Sequence, residues 1–277
     1  MNDNKQLKRE IKTPTRKGFE RSKGLFPINL SRAKKESLLI DTETIGDIMK
    51  GEKAFPYDIS FIKIKGNILS SQVCCINKDI FDNKYLMESA FYKDKIPFYL
   101  AKLNKDKRYN KYNDKDILLK LNKYIKDNKI TYFMAYNAIF DYNSINNLYA
   151  KLGVKNEFKK LRIVDIWKVV FEIMKLCPQL LKRYLAFCKK HNLITESGKN
   201  YSSNAESVKR FILQDKEFKE NHTGLEDTYI EYDILLKFLW YYEKHTNKCF
   251  YYKLDTTFNH FGLTRPDKYG NHLLKVC

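Results

Sequence analysis

The hydrophobic pattern from residue 38 onward alternates between short β-prone runs and segments with helical spacing. Residues 38–40 predict a buried strand that Gly46 ends, and residues 57–65 and 68–76 predict two strands joined by a Gly-Asn turn at 66–67. This order of strands and helices predicts an α/β fold with a mixed sheet flanked by helices. The remaining predicted elements are a strand over 131–136 and helices over 114–126, 141–152, 165–174, 179–190, 204–213 and 224–244.

Two carboxylates follow the first predicted strand, in the string Asp41-Thr42-Glu43-Thr44. Side chains alternate along a strand, so Asp41 and Glu43 are expected on the same face. Two neighbouring carboxylates repel each other, and both stay ionised most easily when a cation lies between them. The alternative is that this pair is a solvated strand end or turn.

A second string, His222-Thr223-Gly224-Leu225-Glu226-Asp227, precedes the last predicted helix. Its Thr-x-x-Glu spacing predicts a capping box, with Thr223 at the N-cap and Glu226 at position N3. Asp227 then lies in the first turns of the helix, and His222 lies on a mobile segment before it. This arrangement allows Asp227 to hold a metal while His222 moves protons. The alternative is a solvated histidine ahead of an ordinary capped helix.

A third acidic position, Asp141, follows the strand predicted over 131–136 in the pattern Asn137-x-x-Phe140-Asp141. It is expected near the start of a helix that packs after a central strand. The alternative is an aspartate that only stabilises the helix N-terminus through the macrodipole.

Together and in this order, the three motifs resemble those of the DnaQ-like, DEDDh-type 3′→5′ exonucleases, most closely those encoded by phages. That family also includes proofreading domains and several ribonucleases. The resemblance covers about residues 38–244 and implies an RNase H-like fold. It rests on Asp41 and Glu43 in the first motif, Asp141 in the second, and His222 and Asp227 in the third.

The resemblance implies a role for each of these residues around two Mg²⁺ or Mn²⁺ ions. Asp41 would bridge both ions, Glu43 and Asp227 would complete the site that holds the nucleophilic water, and Asp141 would help hold the second ion. His222 would deprotonate the water. Two metal ions can stabilise both the attacking and the leaving oxygen of a phosphodiester, and hard ions favour carboxylate ligands.

The function that the resemblance implies is removal of nucleoside monophosphates from the 3′ end of single-stranded or frayed DNA. Thr42, Thr44 and Asn137, which belong to the same motifs, are expected to contact the substrate. Three alternatives stay open: a 3′→5′ exoribonuclease, a non-catalytic nucleic-acid-binding protein, and a proofreading subunit that partners a DNA polymerase or another replication protein.

Composition fits a nucleic-acid-binding protein of the cytoplasm, or of the host cytoplasm if the chain is phage-encoded. The 277 residues carry a net charge of +19, which suits a polyanionic partner. A biased genome could also produce this lysine-rich composition. No apolar run approaches the roughly 18 residues that a membrane span needs, and the six cysteines are expected to be reduced.

Three regions are expected along the chain. Residues 1–37 form a basic N-terminal arm, extended or disordered, with 11 Lys and Arg against 4 Asp and Glu. Residues 38–246 form the exonuclease domain, with an insertion at about 81–113, and residues 247–277 form a C-terminal extension. The insertion alternates aromatic residues with lysines, which either bind single strands or cover the core.

Overall fold

A computed structural model of the chain describes residues 28–30, 36–46, 52–65, 68–195 and 200–252. Most of the predicted N-terminal arm, the predicted turn at 66–67 and residues 253–277 of the predicted C-terminal extension lie outside the described residues.

The described residues form strands and helices in the alternating order that the hydrophobic pattern predicts. The strands are β1 (Ile28–Asn29), β2 (Ser37–Ile45), β3 (Phe55–Lys65), β4 (Ile68–Asn77), β5 (Tyr109–Tyr112), β6 (Tyr132–Ala135), β7 (Arg162–Asp165) and β8 (Tyr251–Tyr252). The helices are α1 (Lys78–Phe81), α2 (Lys84–Met87), α3 (Ile96–Lys105), α4 (Asp114–Asp127), α5 (Ala138–Leu152), α6 (Ile166–Leu176), α7 (Pro178–Lys190), α8 (Ala205–Leu213) and α9 (Gly224–Thr246).

Six of the strands form one mixed sheet in the order β5-β4-β3-β2-β6-β7. Strands β2, β3 and β4 are antiparallel neighbours, whereas β6 is parallel to β2 and β7 is parallel to β6. The carboxyl ends of β2, β6 and β7 therefore meet at one edge of the sheet. Open α/β sheets commonly bind ligands at such an edge.

Alternation along β2 divides its side chains between two apolar layers. Leu38 and Ile40 belong to a core that includes residues of α4 and α5. Leu39 belongs to a second core, built with α6, α7, α8 and α9. Because the period of a strand is two, Asp41 and Glu43 lie on the same face as Leu39, and Thr42 lies on the opposite face. This parity directs the acidic pair towards α9.

The predicted α/β class, mixed sheet and flanking helices are confirmed, and the boundaries of the predicted elements differ by a few residues. Strands β5 and β7 and helices α1, α2 and α3 are not among the predicted elements. The region from 81 to 113 contributes short helices, α3 and the edge strand β5, which pairs in parallel with β4. Its aromatic residues divide between two roles. Tyr99 and Tyr109 are buried in the core, whereas Tyr85 and Phe91 are 87% and 82% exposed.

The two ends of the described chain meet in a small separate sheet. Ile28 pairs with Tyr252, and Asn29 pairs with Tyr251. Leu30, which the sequence analysis places in the N-terminal arm, is completely buried and packs in the core beside α9. This part of the arm is therefore folded against the C-terminal segment.

Two expectations from composition can also be compared with the structure. Among the described cysteines, Cys74, Cys75, Cys177 and Cys188 are buried with free thiols, and Cys249 is an exposed free thiol. None of the helices in the described ranges has both the length and the apolar character that crossing a bilayer requires.

Candidate metal centre

Strand β2 places Asp41 and Glu43 side by side, as its alternation predicts, and α9 adds a third carboxylate from across the core. Asp41, Glu43 and Asp227 each offer a ligand atom, and these atoms all lie within 4.8 Å of one another. Glu43 and Asp227 are buried, and Asp41 is partly exposed. The structure therefore brings together residues about 180 positions apart in the chain.

A close contact with β3 fixes the N-terminus of α9. The backbone N–H of Gly224 donates to Asp58 Oδ2 at 3.1 Å. A Cβ atom at Gly224 would lie 2.9 Å from this oxygen and 3.0 Å from Ser60 Oγ, so only glycine fits without a shift. Asp58 is completely buried and also accepts hydrogen bonds from Ser60 Oγ at 2.7 Å and from Tyr99 at 2.6 Å.

The capping pattern at α9 differs from the predicted capping box. Thr223 is the N-cap, as predicted, but its backbone N–H donates to Asp227 Oδ2 at 3.0 Å instead of to Glu226. Glu226 accepts a hydrogen bond from Thr223 Oγ1 at 3.0 Å and lies 3.4 Å from the ammonium group of Lys102. The predicted N-cap and N3 positions are confirmed, but the hydrogen bonds of a capping box do not form, because Asp227 accepts the hydrogen bond from the backbone N–H of Thr223.

Only one of the two carboxylate oxygens of Asp227, Oδ2, accepts the hydrogen bond of this cap. Asp227 Oδ1 is buried and has no hydrogen-bond partner among the described residues. An unpaired buried carboxylate oxygen is costly, and a cation would compensate it. Asp227 Oδ1 is therefore free to bind a cation together with Asp41 and Glu43.

Asp141 lies in the first turn of α5, where the sequence predicts it, and Thr42 holds it. Asp141 Oδ1 accepts hydrogen bonds from the backbone N–H of Thr42 at 3.0 Å and from its hydroxyl group at 2.8 Å. The Thr42 hydroxyl also lies 3.1 Å from Ser144 Oγ. Thr42 thus positions Asp141 from the face of β2 opposite to Asp41 and Glu43.

The three predicted substrate contacts occupy different environments. Thr42 is buried, and its hydroxyl group is engaged by Asp141 and Ser144. Thr44 is partly buried, and Asn137 is exposed in the left-handed conformation before α5, with φ of 60°. Direct substrate contacts by these residues stay predictions.

Burial and mutual repulsion raise the pKa values of the carboxylates in and beside the cluster. Burial raises the pKa of Asp227 to about 7 and that of Asp141 to about 7, although their hydrogen bonds to Thr223 and Thr42 offset part of the rise. Burial, followed by the neighbouring negative charges, raises the pKa values of Asp41 and Glu43 well above their usual range. A concentration of buried negative charge of this kind favours a divalent cation.

His222 lies before α9 as predicted, but a defined conformation and a ring contact hold it. Its φ is 52°, and its ring stacks on Tyr92 with the centroids 4.2 Å apart and the planes 6° from parallel. The side chain is 30% exposed, and Nδ1 lies 4.0 Å from Glu220 Oε2. Burial lowers the pKa of His222 from 6.5, so the imidazole is mainly neutral at neutral pH and can accept a proton.

Tyr92 connects His222 to the acidic cluster. Burial, and then the charges of Glu43, Glu220 and Asp227, raise the pKa of the Tyr92 hydroxyl group. The ring that stacks on His222 therefore belongs to a residue close to the carboxylates. The stacked Tyr92 ring therefore places the imidazole near the acidic cluster.

Three acidic residues near the centre, Glu206, Glu220 and Glu231, are not part of the sequence motifs. Glu206 and Glu220 offer ligand atoms within 4.8 Å of His222, and Glu206 is already paired with Arg210 at 2.7 Å. Glu231 is buried one helical turn after Asp227. A detectable signal did exist for Glu231, because it is a charged residue within the otherwise apolar stripe of α9.

No protein-family model matches this chain, and no match to it is found among curated proteins. The chemistry of the site must therefore be judged from its own residues. The donors of the group formed by Asp41, Glu43 and Asp227 are all carboxylate oxygens, and two of these residues lie on one strand. Such a set suits Mg²⁺ or Mn²⁺ better than Zn²⁺, which favours nitrogen and sulfur ligands.

Proposed function

We propose that the protein is a metal-dependent 3′→5′ exonuclease of the DnaQ-like, DEDDh type that releases nucleoside monophosphates from single-stranded or frayed DNA. One observation carries this proposal. Asp41, Glu43 and Asp227 converge within 4.8 Å, and Asp227 Oδ1 is buried without a partner among the described residues.

The architecture around the cluster is compatible with the RNase H-like fold that the proposal requires. The carboxylate-bearing strand β2 lies inside a mixed sheet, between the antiparallel β3 and the parallel β6. Helices α5 and α9 deliver Asp141 and Asp227 from the two cores that cover this sheet. The order of the acidic motifs along the chain is also the order expected for this family.

In this proposal, Asp41, Glu43 and Asp227 hold one divalent ion, and Asp41 and Asp141 contribute to holding a second. When bound, the ions would stabilise the negative charge that develops on the attacking and leaving oxygens. Thr42 keeps Asp141 in place through its two hydrogen bonds. Thr223 keeps Asp227 oriented through its backbone N–H.

His222 is the proposed general base. Its neutral imidazole takes a proton from the attacking water as the water oxygen bonds to phosphorus. The bond from phosphorus to the 3′ oxygen of the preceding nucleotide breaks, which releases a nucleoside 5′-monophosphate. Stacking on Tyr92 fixes the plane of the imidazole ring, and partial exposure leaves it accessible to the substrate.

A nucleic-acid substrate is supported by charge and by an exposed ring near the site. The net charge of +19 favours binding of a polyanion. Phe91 is 82% exposed, and its ring contacts Tyr92 edge-on with a centroid separation of 4.8 Å. Exposed aromatic rings stack on unpaired bases, so this contact favours a single-stranded or frayed end.

The proposal is tested by incubating 5′-labelled DNA and RNA oligomers of the same sequence with Mg²⁺, Mn²⁺ or EDTA. We expect Mg²⁺- or Mn²⁺-dependent shortening of DNA by the wild-type protein and none by Asp41→Ala or Asp227→Ala. The matched control is Asp127→Ala, at an exposed ion pair with Lys123 at the end of α4, which should retain activity.

The outcomes of this assay separate the alternatives. Cleavage that persists in EDTA, or full activity of the Asp41→Ala variant, would overturn the metal-dependent mechanism. Digestion of RNA alone would replace the proposed DNA substrate with the exoribonuclease alternative. Salt-sensitive binding of DNA without cleavage would favour a non-catalytic protein on the same scaffold.

A further inference from the structure

Glu231 is a buried carboxylate that none of the three motifs includes. It lies on α9 four residues after Asp227, so both side chains lie on the same face of the helix. Glu231 is 4% exposed, and its Oε2 atom has no hydrogen-bond partner among the described residues. Such an oxygen requires an explanation, because desolvating a charge without a partner is strongly unfavourable.

Helix α9 packs against β2, and a backbone hydrogen bond locates Glu231 near the carboxyl end of β6. Leu39 is opposite Met134 in the parallel pair of β2 and β6, and Tyr136 directly follows the last residue of β6. The backbone N–H of Tyr136 donates to the Glu231 carboxylate. The Glu231 side chain therefore extends from α9 to the carboxyl end of β6, the strand that pairs in parallel with β2.

The surroundings of Glu231 are acidic. After burial, the charge of Asp141 is the strongest influence that raises the pKa of Glu231, and Glu231 is the strongest charged influence that raises the pKa of Asp41. No Lys or Arg in the described ranges forms an ion pair with Glu231. A buried carboxylate next to two others destabilises the metal-free fold, so a purely structural role does not explain it.

We infer that Glu231 is a fifth carboxylate of the metal centre and that it binds the second divalent cation together with Asp41 and Asp141. This inference rests on the proposed function. The centre then has two ion sites that share Asp41. Glu43 and Asp227 belong to the first site, and Asp141 and Glu231 belong to the second. The cation class is the same for both sites, Mg²⁺ or Mn²⁺, because all the donors are carboxylate oxygens.

The test is a titration of the metal-free full-length protein with Mn²⁺. Electron paramagnetic resonance measures the concentration of free Mn²⁺ at each step, which gives the number of bound ions. The variant is Glu231→Gln, which keeps the size of the side chain and removes its charge. The matched control is Glu226→Gln on the same helix, whose carboxylate is turned to Thr223 and Lys102 instead of the centre. Circular dichroism verifies that both variants are folded.

We expect the wild-type protein and Glu226→Gln to bind two Mn²⁺ ions. Glu231→Gln should keep one site and bind the second ion about tenfold more weakly or worse, since removing even an outer partner of a metal site costs about 10- to 100-fold in affinity. The melting temperature gives a second measurement. Without metal, Glu231→Gln should melt at a higher temperature than the wild type, and Mn²⁺ should raise its melting temperature by less.

Two results would contradict the inference, and they are distinguishable. If Glu231→Gln binds two Mn²⁺ ions with wild-type affinity, Glu231 is not a ligand, but the proposed exonuclease is unaffected. If the wild-type protein itself binds no Mn²⁺, the proposed function fails as well. A lower melting temperature of metal-free Glu231→Gln, with metal binding unchanged, would show that Glu231 supports only the fold.

Discussion

Replacing Asp227 with Asn should stabilise the metal-free protein, although it removes a proposed metal ligand. Asp227 has a pKa of about 7 in the folded protein against an ordinary value of 3.8. At pH 8 the ionised carboxylate therefore costs about 4 kcal/mol of unfolding free energy, since each pKa unit corresponds to about 1.4 kcal/mol. Protonation of neighbouring carboxylates offsets part of this cost, so we expect Asp227→Asn to gain about 2–4 kcal/mol at pH 8.

The pH dependence follows from the direction of the pKa change. A raised carboxyl pKa means that the folded protein holds the proton more tightly than the unfolded chain does. The stability of the metal-free wild type therefore falls as pH rises from 3.8 to about 7. At pH 4 Asp227 is protonated in the folded protein and only about half ionised in the unfolded chain, so little of the cost has accumulated and the gain from Asp227→Asn should shrink below about 1 kcal/mol.

Urea denaturation of EDTA-treated protein at pH 8 and pH 4 measures these differences. The matched control is Asp233→Asn on the same helix, at a partly exposed ion pair with Lys209, which should change stability by about 1 kcal/mol or less. Adding Mg²⁺ at pH 8 should stabilise the wild type and stabilise Asp227→Asn much less. A metal-free Asp227→Asn protein that is less stable than the wild type at pH 8, or an equal gain at both pH values, would refute the reasoning.

Three further predictions concern the cap, the base and the exposed ring. Gly224→Ala should lower the unfolding free energy by about 1–3 kcal/mol and reduce activity per folded molecule, because its Cβ would lie 2.9 Å from a buried carboxylate oxygen. In contrast, Gly153→Ala, with φ of 62° and open space around it, should cost about 1 kcal/mol and spare activity per folded molecule. His222→Ala should lower kcat about 10²- to 10⁴-fold and remove the rise in rate centred below pH 6.5, and an unchanged pH–rate profile would exclude it as the base. Phe91→Ala should weaken binding of single-stranded DNA by about 1–3 kcal/mol in fluorescence anisotropy, and unchanged affinity would exclude base stacking there.

Local sequence rules predict the positions of the motif residues well. The parity of β2 puts Asp41 and Glu43 on one face, and the threonine before α9 marks where the last helix begins. These properties depend on a few neighbouring residues, so a single sequence can reveal them. The predicted helices and the mixed sheet follow from the same short-range periodicities.

The details that depend on packing could not be predicted in the same way. Glu226 and Asp227 are neighbours in one helical turn, and only the approach of β3 through Asp58 and Gly224 determines which one faces the cluster. The location of Glu231 depends on how α9 packs against the sheet, which the local sequence does not specify. Tyr92 stacks on a histidine 130 positions later in the chain, a contact without any local signal.

The most direct test of the proposed function is the polarity of digestion with Mg²⁺, using one single-stranded DNA oligomer labelled either at its 5′ end or at its 3′ end. A 3′→5′ exonuclease converts the 5′-labelled strand into a ladder that shortens with time, and it releases the label of the 3′-labelled strand at once as a mononucleotide. We predict this pair of patterns for the wild-type protein and intact strands for Asp41→Ala. Internal fragments from both substrates, or mononucleotide released first from the 5′-labelled end, would contradict the account.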